Sequence, residues 1–153
     1  MLKDIGVYKN RLLSLLLDSN DIAKLFLGKE YNKETADEEL MYNYVFPYLH
    51  ADETQTEVKS YICMEVDVPK TLNASYKDMQ IIIWCYSHKD DMKCSTENCV
   101  GTKPDILTDI IDKLLSGSRD FGMGRLMLES AAHIAPAKEH YGRQLIYTCP
   151  EFR

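Results

Sequence analysis

Residues 57–68 read EVKSYICMEVDV, and residues 79–87 read MQIIIWCYS. In the first stretch Val58, Ile62, Met64, Val66 and Val68 fall on one side, with Ser60 the single polar member. Glu57, Lys59, Tyr61, Cys63, Glu65 and Asp67 fall on the other. A period of two over so many residues predicts a half-solvated strand. The second stretch is apolar on both sides and predicts a strand that must be covered twice. In a chain this short, a doubly covered sheet suggests that a neighbouring subunit does part of the covering.

The other elements are placed outward from this pair. Pro69 is expected to end the first strand, since proline cannot donate to a ladder. Lys70–Ser75 is a polar connection, so Tyr76–Ser87 returns as the second arm of an antiparallel hairpin. Upstream, Asp4–Leu17 carries Ile5, Tyr8, Leu12, Leu15 and Leu16 at helical spacing. A second short helix, Asp21–Leu27, is capped by Ser19 or Asn20 and ends at Gly28. The acidic stretch Glu34–Tyr42 reads as a solvated face with room for one short helix. In Val45–Asp52, Pro47 holds Phe46 extended.

Downstream, His88–Gly101 reads as a projecting polar loop. Thr102, Pro104 and Asp105 then announce a helix over Lys103–Ser116. Its apolar residues Ile106, Leu107, Ile110, Ile111, Leu114 and Leu115 form one stripe, and it is expected to pack on the sheet. Arg125–Ala132 and Gln144–Cys149 read as two more strands, with Pro136 and Gly142 between them. The order α, α, β, β, α, β, β gives an α+β fold in one domain spanning residues 1–153. It has an antiparallel sheet of about four strands, a long hairpin and helices mainly on one face. That helix can cover one face of the sheet. The other, with Ile82, Trp84 and Tyr86, is left for the N-terminal helix or a neighbouring subunit, and these three are the candidate interface residues.

Composition narrows the function. A chain of 153 residues can bury roughly 70% of its unfolded surface and needs no staples to fold. The net charge of −6 argues against a protein whose main task is gripping a nucleic-acid backbone. The opening residues, interrupted by Asp4, Lys9 and Arg11, do not read as a signal peptide. No stretch approaches the roughly 18 apolar residues of a membrane span. Five cysteines, Cys63 and Cys85 among them in the expected hairpin, read as reduced thiols of a cytosolic product.

Catalytic constellations are incomplete. His88, Cys94 and Cys99 invite a zinc reading, but no second tight pair completes a tetrahedral set. Cys94 and Cys99 are instead two thiols of an exposed loop that could cross-link under oxidising conditions. His133 and His140 lie six residues apart, which is no ligand pair of known type. No Gly-x-Ser-x-Gly elbow is present, and Gly122-x-Gly124 follows a helix rather than opening one. Glu65, Asp67 and Lys70 come nearest to a nuclease triad, yet the two acids are explained as the wet face of an alternating strand. No catalytic, metal or cofactor site is therefore assigned. Tyr31, Tyr42, Tyr44 and Tyr48 lie among acids, a setting that suits protein contacts better than nucleic acid.

Four stretches taken together carry a family resemblance. They are ETQTEVKSYICMEVDVP (53–69), YKDMQIIIWCYSHKD (76–90), GTKPDILTDIIDKLL (101–115) and LMLESAAHIAPAKEHYGRQLIYTCPEF (126–152). In pattern and order they resemble the tail-terminator, or tail-completion, proteins of the neck of long-tailed bacteriophages. The resemblance implies a virion protein without enzymatic activity or cofactor. It implies a homo-oligomeric ring, typically a hexamer, that caps the tail tube and stops its polymerisation. The implied partners are the tail-tube protein and the head connector or head-closure protein. DNA would pass through the lumen without specific binding, and no membrane is involved. Two rival expectations stand beside it. One is another virion protein of the head–tail region, a head-closure or tail-tube subunit. The other is a metal-dependent hydrolase or nuclease using His88, Cys94 and Cys99.

Overall fold

The computed structural model describes residues 2–51, 54–94 and 99–153, so parts of two expected features, the Val45–Asp52 segment and the His88–Gly101 loop, lie outside the described residues. The fold is α+β. Helices α1 (Lys3–Leu17), α2 (Asn20–Leu27) and α3 (Ala36–Leu40) precede strand β1 (Val45–Phe46). Strands β2 (Ser60–Thr71) and β3 (Tyr76–His88) form the long hairpin. Helix α4 (Lys103–Leu115) follows, and strands β4 (Met127–Ala137) and β5 (His140–Phe152) close the chain.

The sheet has five strands in the order β1-β2-β3-β5-β4, one more than expected. The extra strand is two residues long and runs parallel to β2, with Val45 opposite Ile62 and Phe46 opposite Cys63. Among the described residues the other strand pairings are antiparallel, and one isolated parallel bridge joins Met41 to Val45. So short a strand leaves no periodicity to read in a sequence.

Two punctuation signals mislead. Pro69 does not end β2, because a register shift between Asp67 and Lys70 carries the strand past it. A bulge needs no ladder bond from that position. Gly142 and Pro136 do not mark a loop either. Gly142 lies inside β5 opposite Tyr86, and Pro136 lies in β4 within a second register shift. The turn between the two strands is only Lys138–Glu139.

One face of the sheet carries the main core. Ile62, Met64 and Val66 of β2, Met79, Ile81, Ile83 and Cys85 of β3, and Leu145, Tyr147 and Cys149 of β5 are all buried. Tyr8, Leu12 and Leu16 of α1, Ile22 of α2 and Leu107, Ile111 and Leu115 of α4 meet them. The 3.6-residue period thus aims every long helix at the same side of the sheet. Ile106 and Ile110 of the expected α4 stripe are only partly buried, since they turn towards α2 rather than the sheet. Asp105 closes the start of α4 by accepting from the Thr102 N–H and the Thr102 hydroxyl, both at 3.0 Å.

Candidate assembly surface

Since α1, α2 and α4 lie on one side, the opposite face of the sheet is left to the rest of the chain. Half of it is sealed from within. Residues 46–51 fold across its lower end, where Tyr61, Cys63 and Tyr86 form a small second core with Phe46. The ring of Phe46 stacks on His50 with centroids 4.2 Å apart, and Tyr61 stacks on Tyr86 at 5.2 Å. The Tyr86 hydroxyl donates to the His50 carbonyl. Burial pushes the Tyr61 and Tyr86 hydroxyls and the Cys63 thiol up, away from their ionised forms. Tyr61 and Cys63 were expected on a wet face, and the cover of 46–51 is what dries them.

Among the described residues, nothing covers the upper half of the face in this way. Cross-strand pairing sets Glu65, Ile82, Ile146 and Ser130 in one row, and Trp84, Gln144 and Ala132 in the next, which starts at the covered Cys63. Above them run Asp67, Gln80, Thr148 and Met127. Ile82, Trp84 and Ile146 are partly exposed. The Trp84 indole N–H donates to the Gln144 side chain at 2.8 Å, which fixes the ring against the sheet. The result is an apolar centre bordered by Glu65, Asp67 and Asp78, an arrangement typical of protein contacts. Of the three interface residues named from the sequence, Ile82 and Trp84 lie on this open patch. Tyr86 lies below it and has no exposed surface. Ile146 and Met127 share the patch. The apolar–polar alternation of 144–149 could have signalled Ile146.

The residues named as rival catalytic or metal candidates are dispersed. Glu65 pairs with Lys9 of α1 at 2.5 Å, and Asp67 and Lys70 flank the bulge. His88 faces Glu139 and Asp90, at 3.4 and 3.8 Å. Cys94 and Cys99 are joined as a disulfide, the cross-link expected of this pair under oxidising conditions. Cys63, Cys85 and Cys149 are free and buried, and desolvation raises all three thiols. The disulfide borders a cleft of about 750 Å³ between α2 and α4, with Leu25, Ile106 and Ile110 among its lining and Asp21, Asp105 and Asp109 as its acids. Among the described residues, no group of three or more His, Cys, Asp or Glu is placed to hold a metal ion. Among the described residues, no helix is long and apolar enough to cross a membrane.

The sequence profile of the YomW family matches residues 10–149, which takes in every strand except the end of β5 and every helix except the first turns of α1. The chain belongs to the YomW family. That family is phage-derived, so this YomW-family chain is a phage-associated protein. No curated protein matches the chain significantly.

Proposed function

We propose that this YomW-family chain is a structural, non-enzymatic subunit of the phage neck. It assembles into a ring that caps the tail tube, stops its polymerisation and joins the tail to the head connector. The observation that supports the reading is the open half of the sheet, with Ile82, Trp84 and Ile146 side by side and partly exposed. A contiguous apolar patch of this kind, rimmed by acids, suits a permanent neighbour better than solvent. A closed ring is built from heterologous contacts, in which this patch of one subunit meets a different patch of the next. The net charge of −6 fits a channel for DNA, because a basic lumen would retain the phosphates.

The test is negative-stain microscopy of the purified protein together with its mass in solution. Discrete rings are expected. Trp84→Ala should shift them towards free subunits, since a buried aromatic anchor contributes roughly 2 kcal/mol to a contact. Folding should change far less, because the ring is only partly buried in its own chain. Indefinite tubes would favour a tail-tube subunit instead. A protein that stays monomeric at high concentration would remove the ring altogether.

A further inference from the structure

The two edges of the sheet are built differently. On one side β1 pairs with β2 at Ile62 and Cys63, and both β1 residues are buried. Beside it Lys9 bonds the Pro47 carbonyl and Glu65, and the rest of β2 is broken by its bulge and by Pro69. Those are the usual devices that stop an edge from being extended, and β4 has the same kind, two register shifts and Pro136, only towards its ends, so that Ser130–Ile134 stays regular. On the other side β4 is the outermost strand, eleven residues long, and among the described residues no strand pairs with its outer edge. Met127–His133 is exposed along its whole length. Glu129 is the only acid of the strand, there is no lysine or arginine in it, and Glu129 sits at the first bulge. Its outward N–H and C=O groups are a row of unused donors and acceptors.

We propose that β4 pairs with β4 of a second copy of this chain, antiparallel, with Ala132 on the twofold axis. The register follows from the strand itself. Register shifts at Leu128/Ser130 and Ile134/Ala137 leave one regular run, Ser130–Ile134, and Ala132 is its midpoint. On that axis Ser130 faces Ile134, Ala131 faces His133 and Ala132 faces its twin, so the two regular runs meet in full. No like charges oppose each other, because Glu129 falls beyond the run, on the side of Ala135. The exposed Met127 and Leu128 of one copy approach Pro136 and Ala137 of the other, apolar against apolar. One open edge accepts one partner and the opposite edge is blocked, so the assembly closes as an isologous pair rather than a filament. The contact uses the strand's edge, and because Ala132 and Met127 also border the face that carries Trp84, Trp84→Ala is the variant that separates this pairing from a ring.

The experiment compares the solution mass of the parent with that of Ala132→Lys, and scores cross-linking of Ala132→Cys and Ala135→Cys without reductant. Ala132 is exposed, so a lysine there burdens the pairing and not the fold. The expected result is a twofold drop in mass for Ala132→Lys with an unchanged circular dichroism spectrum. Ala132→Cys should form a covalent dimer. Ala135→Cys should not, because its twin would lie six residues out of register, about 20 Å away. Trp84→Ala should keep the dimer even if it abolishes rings, which separates this contact from the neck reading. Equal masses for parent and Ala132→Lys, or equal cross-linking of the two cysteine variants, would overturn the proposal. So would a parent that is monomeric because the edge takes a strand of a different protein.

Discussion

Lys77 is a lysine with no exposed surface, on the helix-covered side of β3. Its ammonium group donates to Asp4 of α1 at 2.5 Å and to the Phe152 carbonyl of β5 at 2.8 Å. Losing Asp4 would strand a buried charge, whereas replacing the lysine removes the charge together with its cost. Asp4→Ala is therefore expected to cost roughly 2–3 kcal/mol and Lys77→Met clearly less, both read from urea unfolding. Nothing in the sequence could pair these residues, because the partners lie 73 and 75 positions from Lys77. The opposite holds for Asp105, whose role three residues after Thr102 is legible as a capping box. Its carboxyl is held below the usual aspartate range, first by the Thr102 N–H and then by the Thr102 hydroxyl and Arg143. A lowered native pKa means that the stabilisation is complete above the unfolded value of about 4 and is lost as pH falls through the native one. Asp105→Ala should cost about 1 kcal/mol near neutral pH, a modest figure because the site is partly solvated. Thermal unfolding of the two proteins should converge as the pH drops below about 4.

At the scale of the element, glycine carries different meanings in different strands and helices. A Cβ on Gly142 would collide with the Cys85 carbonyl and the Tyr86 backbone, since β5 runs beside β3 at close range there. Gly6, by contrast, lies in α1 with nothing nearby. Gly142→Ala should destabilise by roughly 3 kcal/mol or more, while Gly6→Ala should stabilise by about 0.5–1 kcal/mol through helix propensity. Thermal unfolding of both variants beside the parent checks the pair. Without neighbours in view, Gly142 and Pro136 read as a loop, and the hairpin β4–β5 was shortened accordingly. The 3.6-residue stripe of α4 needed no such context. It placed the helix almost to the residue, although only the Leu107, Ile111 and Leu115 row turned out to be sealed.

For the whole molecule, the α+β class, the order of the long elements and the central hairpin were legible, because each rests on a local period. The open face of the sheet was legible only in part. Two apolar sides on β3 announced that something must cover them. They did not reveal that residues 46–51 would cover Tyr61 and Tyr86 while leaving Ile82 and Trp84 partly exposed. That division depends on β1 docking parallel to β2, a contact between segments with no shared pattern. The two termini are also joined through the fold, since Tyr8 donates to Glu151 at 3.0 Å and Lys77 links Asp4 to Phe152. The seat of α1 is therefore complete only when β5 is in place, since Glu151 lies 143 positions along the chain from Tyr8. A product that stops short of β5 would keep the contacts of α1 with β2 but lose both of these ties, and cellular proteases would find its loosened first helix.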